Sequence, residues 1–160
     1  MNDILIRHAA FPADGEAVIG LLGELNDAET QIEEVRADAS AAAEHFDWLQ
    51  GYVEEHDGEW LVAARNDCVV GFGCYIVETE NGAFIRPEFR RHAMVLDVSV
   101  TAEERGHGVG RRLFAEIEKR AKERGLAEVW LGVLSGNERA IRLYRELGYG
   151  DYERLMRKKV

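Results

Sequence analysis

A short apolar run, a glycine-rich turn and an amphipathic stretch follow one another between Met94 and Arg124, and this stretch constrains the fold most. The run Met94–Val100 is rich in β-branched and apolar residues, which predicts a buried strand. The residues after the turn repeat apolar side chains with the period of a helix. The face that this period creates consists of Val109, Leu113, Phe114, Ile117 and Ala121. A tight glycine turn that opens a helix predicts a phosphate site, because free helix amides point into the turn.

The turn itself has the sequence Arg105-Gly106-His107-Gly108-Val109-Gly110. It lacks the GxxxxGK[ST] spacing of a P-loop, and Arg111 stands where the third glycine of the G-x-G-x-x-G dinucleotide pattern belongs. It does fit the pattern Arg/Gln-x-x-Gly-x-Gly/Ala. On these residues alone two other interpretations stay open, namely a glycine-rich turn without a ligand and a loop that binds some other nucleotide.

The composition is that of a soluble globular protein. With 160 residues, 46% hydrophobic and 31% charged, the chain suits one domain over residues 1–160 and can bury a core. We see no apolar run near the ~20 residues of a membrane helix, and no signal peptide. Cys68 and Cys74 are expected on one face of a strand as reduced core thiols, and no His or Cys pair has the spacing of metal ligands. We therefore expect a cytoplasmic protein without a metal site.

Charge is distributed unevenly along the chain. The net charge of −10 argues against general nucleic-acid binding. Ten acids and one base, Arg36, lie between Glu29 and Glu59, whereas residues 105–124 hold seven bases and three acids. Both regions fit ordinary solvated helix faces. The asymmetry also suits a protein that brings a cationic molecule to an anionic one.

The remaining patterns give the order of the elements. Further strands are expected at Ile4–Arg7, Trp60–Arg65, Cys68–Val77, Val129–Val133 and Tyr152–Arg157. Further helices are expected at Asp14–Leu25, Ala37–Glu55 and Glu138–Leu147. Other local signals are the hairpin turn at Asn66-Asp67, helix caps at Asp14 and Asn137, and helix ends at Gly125 and Gly148.

A second motif lies in the last expected helix, where Ala140 and Tyr144 are one turn apart on the same face. A ligand can lie close to the small residue and meet the tyrosine hydroxyl, although a core tyrosine would give the same pattern. The segment Asn137–Tyr149 resembles Asn-x-x-Ala-x-x-x-Tyr-x-x-x-Gly-Phe/Tyr. With the glycine loop and the element order, it makes nearly the whole chain similar to the GNAT superfamily of acetyl-CoA-dependent N-acetyltransferases.

The resemblance implies a fold. We expect a single GNAT-type α/β (α+β) domain with a central mixed, mostly antiparallel sheet of about six to seven strands flanked by about four helices. Homodimers are common in the family, so a homodimer is a further expectation.

The resemblance also implies an activity, the transfer of an acetyl group from acetyl-CoA to a primary amine by direct attack. Tyr144 is the candidate to protonate the leaving thiolate. Asp97 is the candidate base, although it also fits a structural role or one that only binds the substrate amine. The family often uses a water relay, so no single base is required. Residues implied to contact the cofactor are Val98, Val100, Arg105, Gly106, His107, Gly108, Val109, Gly110, Arg111, Asn137, Ala140 and Tyr144. Of Arg111 and Arg112, only one is expected to face the phosphates.

The acceptor is expected to be cationic, because the acidic region Glu29–Glu59 falls where the family builds its substrate lid. Polyamines, aminoglycosides and protein amines all fit this description. The alternative function is a catalytically silent module that senses acyl-CoA.

Overall fold

The computed structural model describes residues 3–160, which form a five-stranded sheet and four α-helices. The strands are β1 (Leu5–His8), β2 (Glu59–Arg65), β3 (Cys68–Thr79), β4 (Arg91–Val100) and β5 (Val129–Leu131). The helices are α1 (Gly15–Thr30), α2 (Ala42–Glu55), α3 (Val109–Glu123) and α4 (Glu138–Glu146). The strands lie in sequence order, with β1 to β4 antiparallel and β5 parallel to β4. The α/β class, the mixed sheet and the four helices are confirmed, and the sheet has fewer strands than expected.

The sheet separates two apolar cores, because alternate side chains of each strand point to opposite faces. One face packs against α1 and α2, and its largest buried members include Leu22, Leu49 and Phe72. The other face packs against α3. Every residue that the helical period assigned to the inner face of α3 is at most 1% exposed. Within residues 3–160, no helix combines the length and the apolar character needed to cross a membrane.

The expected strand Tyr152–Arg157 is wrong. Residues 151–160 pair with no strand in the described part of the chain, and all of their side chains are exposed. Leu155 and Met156 are adjacent, so they cannot share one face of a strand. Arg157 instead pairs with Glu33, which follows α1. The tail therefore adds no strand: Arg157 reaches the acidic surface, and the Tyr152 ring packs on Trp130 of β5 with centroids 4.4 Å apart.

The first two helices differ from the prediction at their ends. Helix α1 continues to Thr30, so Asn26 and Glu29 lie on its last turns. Helix α2 begins five residues later than expected. A single 3-10 turn precedes it at Ala39–Ala41, and Asp38 opens this turn by accepting a hydrogen bond from the Ser40 amide at 2.9 Å.

Asp14 does not cap α1, contrary to expectation. Its buried carboxylate accepts hydrogen bonds from both terminal nitrogens of Arg7, at 2.6 and 2.9 Å, and from the Ala10 amide at 2.7 Å. The bond to Arg7 is the main reason that the pKa of Asp14 is lowered from its ordinary value. This pair ties β1 to the start of α1.

The two cysteines do not share a face, which corrects a further expectation. The β2–β3 pairing shifts register so that Ala63 pairs with Gly71 and Ala64 with Val69. One residue of β3 is therefore bulged, and a bulge breaks the alternation of faces. As a result, Cys68 is exposed while Cys74 is buried.

Candidate functional site

The loop between β4 and α3 presents a row of backbone amides. Gly106 and Gly108 both have φ of +82°, in the left-handed region that favours glycine. Gly108 is also the N-cap residue of α3. Among residues 3–160, the amides here that meet no protein acceptor are those of Gly106, Gly108, Val109, Gly110 and Arg111. Together with the positive end of the α3 dipole, these donors fit a phosphate group.

Arg105 holds this loop in place. Its Nε donates to the Val100 carbonyl oxygen at 2.9 Å, and a terminal nitrogen donates to Glu24 Oε2 at 2.9 Å. The guanidinium therefore ties the loop to the end of β4 and to α1. His107, at the tip of the same loop, is exposed.

Arg111 and Arg112 point to different neighbours. Arg112 donates to Asp3 Oδ1 at 2.8 Å and also to the backbone carbonyl of Ile4, so it faces β1. Arg111 pairs with Glu146 of α4. Arg111 is therefore the one of the two that lies on the α4 side of the loop.

Strands β4 and β5 separate after a short parallel pairing. Ala93–Val95 pairs with Val129–Leu131, and beyond this β4 has no partner on the β5 side within the described residues. The β3–β4 register shifts at Leu96, and a bulge of this kind bends and twists a strand. Val98 and Val100 lie on the part of β4 that follows. A short 3-10 turn, Ala102–Glu104, connects the end of β4 to the amide row, so an extended ligand can follow the chain from one to the other.

Helix α4 lies beside the start of α3, where Glu146 pairs with Arg111. The Asn137 side chain accepts a hydrogen bond from the Ala140 amide at 3.1 Å, which confirms the predicted N-cap. At the other end, Gly148 has φ of +96° and follows the helix as predicted. The cap fixes where α4 starts and hence the position of Tyr144, one turn after Ala140.

The Tyr144 ring packs edge-on against Phe114 of α3, with ring centroids 5.4 Å apart. Burial raises the pKa of its phenol, and the negative charges of Asp97 and Glu29 raise it further. The hydroxyl therefore stays protonated at neutral pH and can donate a proton or a hydrogen bond.

Two carboxylates, from Asp97 of β4 and Glu29 of α1, act on this same region. The Asp97 side chain is only 17% exposed. Burial raises the pKa of Glu29, the charge of Asp97 raises it further, and Arg36 at 3.5 Å lowers it. Two acidic side chains are therefore gathered in a place partly shielded from water, where they can attract a positively charged group.

The rest of the acidic region is divided. Asp57 and Glu59 belong to it by sequence, but they pair with Arg120 of α3 and with Arg124, which follows α3, on the other face of the sheet. Among the ten acids counted in the sequence, Glu29 raises the pKa of Tyr144, and its own pKa is raised by the charge of Asp97.

Sequence reasoning did not find His45, which lies on α2 with its Nε2 atom 3.3 Å from Asp97 Oδ2. Nor did it single out Glu29 from the other acids. His45 directly precedes Phe46, a core residue of α2, which is a weak signal that its side chain lies close to the sheet. The contact with Asp97 joins residues 52 positions apart, and a pattern along the chain does not reveal such pairs.

Comparison with known proteins gives consistent results. A family model described as the acetyltransferase (GNAT) family matches residues 22–149. The thialysine N-epsilon-acetyltransferase of Sus scrofa is 28% identical over 160 residues, covering 94% of this chain and 86% of that protein.

Solved structures share the fold. A putative acetyl transferase from Pyrococcus furiosus has a TM-score of 0.77 and 21% identity, covering 99% of this chain and 100% of that one. An aminoglycoside N-acetyltransferase in complex with CoA has a TM-score of 0.71 and 15% identity, covering 99% and 95%.

Proposed function

Since the chain belongs to the acetyltransferase (GNAT) family, an enzyme family that takes its acetyl group from acetyl-CoA, we propose that its acceptor is a cationic primary amine that attacks the donor directly. When bound, acetyl-CoA supplies an acetyl group activated as a thioester. The observation that carries the proposal is the placement of two carboxylates and a protonated tyrosine beside the open side of β4.

On the cofactor side, the amide row of 106–111 binds the pyrophosphate, because convergent backbone donors at a helix start favour an anion. Arg111 is the arginine on the α4 side of this loop and adds a positive charge. Arg105 contributes by holding the loop, since its guanidinium is already bonded to Val100 and Glu24. The backbone of β4 at Val98 and Val100 lines the path from the loop to Asp97.

On the acceptor side, Asp97 and Glu29 attract the ammonium group, and Asp97 accepts a proton from it before attack. Tyr144 donates a proton to the departing thiolate, which its raised pKa permits at neutral pH, and regains the second proton that the amine nitrogen loses as the amide forms. The raised pKa of Tyr144 means that its hydroxyl already carries the proton that this role requires.

A cationic acceptor is supported by the two acidic side chains of the site, Asp97 and Glu29, and by the names of its relatives. The names of two similar proteins refer to thialysine and to an aminoglycoside, and both of these molecules carry amino groups. Membership of an acetyltransferase family leaves a catalytically silent sensor as the weaker alternative.

The proposal is tested by incubating the protein with acetyl-CoA and a panel of primary amines, while free thiol and acetylated product are both measured. The panel includes diamines, lysine derivatives, aminoglycosides, neutral amines and amino acids with a negative net charge. We expect stoichiometric thiol and amide formation with cationic members. Acetylation confined to anionic acceptors, or no acetylation of any amine, would contradict the proposal.

A further inference from the structure

His45 is held between two side chains from different elements. Its Nδ1 atom lies 3.1 Å from Asn26 Oδ1 on α1, and its Nε2 atom lies 3.3 Å from Asp97 Oδ2 on β4. The imidazole is 28% exposed, and Asn26 is buried. The ring therefore links the last turns of α1 to the carboxylate that we assign to the acceptor site.

The hydrogen bonds of Asn26 determine which atom faces the ring. Asn26 Nδ2 donates to the backbone carbonyl of Asp38 at 3.3 Å. A reversed amide would place two oxygens, those of Asn26 and Asp38, against each other. Asn26 Oδ1 must therefore face His45, and since an oxygen can only accept, His45 Nδ1 carries a hydrogen.

The other ring nitrogen faces a carboxylate, which also can only accept. A neutral ring with its hydrogen on Nδ1 would turn a lone pair on Nε2 toward Asp97. Both contacts are favourable together only when both nitrogens are protonated. The geometry thus selects the imidazolium form of His45.

The surrounding charges agree with this assignment. The pKa of His45 is raised, chiefly by its contact with Asp97, and Glu29 raises it further, whereas burial and Arg36 lower it. A raised pKa means that the imidazolium persists above its ordinary range and is lost only as pH rises through the raised value.

We propose that His45 is a positioning residue that, as an imidazolium, aims the Asp97 carboxylate at the acceptor amine and offsets one of the two negative charges of Asp97 and Glu29. This role rests on the proposed function. His45 acts through Asp97 and transfers no proton itself. Without the imidazolium, Asp97 is free to rotate away, and the amine loses its aligned partner.

The protonation state is measured by titrating the His45 ring by NMR, with the signal assigned from His45→Gln. We expect Asp97→Asn to lower the midpoint of the His45 titration, since the main partner of the imidazolium is removed. The matched control is Asp47→Asn, which removes an exposed acid two residues away on the same helix. An equal change in both variants, or none in Asp97→Asn, overturns the proposal.

The functional role is measured by the pH profile of kcat/KM for the best amine. In the wild type we expect activity to decline at high pH as the imidazolium is lost. His45→Ala should lower kcat/KM by about tenfold, the worth of one charge-assisted hydrogen bond, without weakening acetyl-CoA binding. It should also remove the decline at high pH. His45→Gln should restore part of the activity, because its amide can donate to Asp97, and should likewise show no decline.

A variant His45→Ala that keeps wild-type kcat/KM, or that keeps the same decline at high pH, overturns the positioning role. The two proposals fail in different ways. If no amine is acetylated, the proposed function is wrong and the NMR titration alone decides the state of His45. If amines are acetylated but the midpoint of the His45 titration is the same in Asp97→Asn as in the wild type, only the inference about His45 is wrong.

Discussion

Cys74 of β3 lies directly opposite Asp97 of β4, so a thiol and the candidate acceptor carboxylate are neighbours on one face of the sheet. The thiol is fully buried. Burial raises the pKa of Cys74 well above its ordinary value, and the charge of Asp97 raises it further. Only a thiolate is a strong nucleophile, so this cysteine is unsuited to carry an acetyl group.

The first prediction follows from this protonated thiol. Cys74→Ala should retain acetyl transfer within about threefold, with a modest loss of stability of ~1 kcal/mol from the small cavity. Steady-state kinetics that vary both substrates should give the intersecting pattern of direct transfer. A folded Cys74→Ala protein that has lost activity, together with ping-pong kinetics, would show that an acetyl-cysteine forms.

Tyr144→Phe is predicted to lower kcat by about ten- to a hundredfold, with acetyl-CoA affinity nearly unchanged. The substitution removes only the hydroxyl and keeps the ring against Phe114. General acid catalysis contributes about 10²–10⁴-fold. The thiolate is already a fair leaving group, because its thiol has an ordinary pKa of ~8.5, so we expect the loss of kcat to be small. The measurement is steady-state kinetics beside calorimetric acetyl-CoA binding. If kcat stays within twofold while chemistry limits the rate, Tyr144 serves packing only.

Gly108→Ala is predicted to weaken acetyl-CoA binding about five- to thirtyfold. A side chain at φ of +82° costs about 1–2 kcal/mol, so the loop relaxes and its amides no longer converge. Gly125→Ala is the control. Gly125 has φ of +71° and follows the far end of α3, so an alanine there introduces similar strain away from the loop. Equal acetyl-CoA affinity in the two variants, measured by calorimetry, would argue against a phosphate site at 106–111.

Glu29 is predicted to promote binding of the cationic acceptor. Added salt should lower kcat/KM for the amine, since screening acts over a Debye length of ~8–10 Å. Glu29→Gln should lower kcat/KM at low salt by about fivefold and reduce the salt dependence. Glu54→Gln, on the exposed side of α2, is the matched control and should behave as wild type. A kcat/KM for the amine that does not change with added salt would show that Glu29 does not promote binding of the acceptor by its charge.

The Arg7–Asp14 pair is predicted to make stability depend on pH in acid. Because the folded-state pKa of Asp14 is lowered, the pair stabilises the fold above its ordinary pKa near 3.8, and this contribution disappears as pH falls below that value. Asp14→Asn should reduce the free energy of unfolding by about 1–2 kcal/mol at pH 7 and by less in acid. Denaturant unfolding at pH 7 and in acid measures the free energy of unfolding of both proteins. An equal loss at both would mean that charge is not the cause.

Local sequence signals predicted the parts of the fold that depend on neighbours along the chain. The apolar period around Phe114 gave the buried face of α3, and Asn137 gave the start of α4. Tyr152–Arg157 was mispredicted because its strand pattern is weak: Leu155 and Met156 are adjacent and cannot share one face of a strand. The pairing of His45 with Asp97 was missed because it depends on how α2 packs on the sheet.

The most direct test compares two acceptors that share one reacting amine, pentane diamine and the amino alcohol of the same chain length. Product formation from acetyl-CoA is followed by mass spectrometry in the wild type and in Glu29→Gln. We predict acetylation of both, with kcat/KM about fivefold or more higher for the diamine in the wild type, and a smaller ratio in the variant. Equal or faster acetylation of the amino alcohol, or no acetylated product from either, would contradict transfer to a cationic amine at this site.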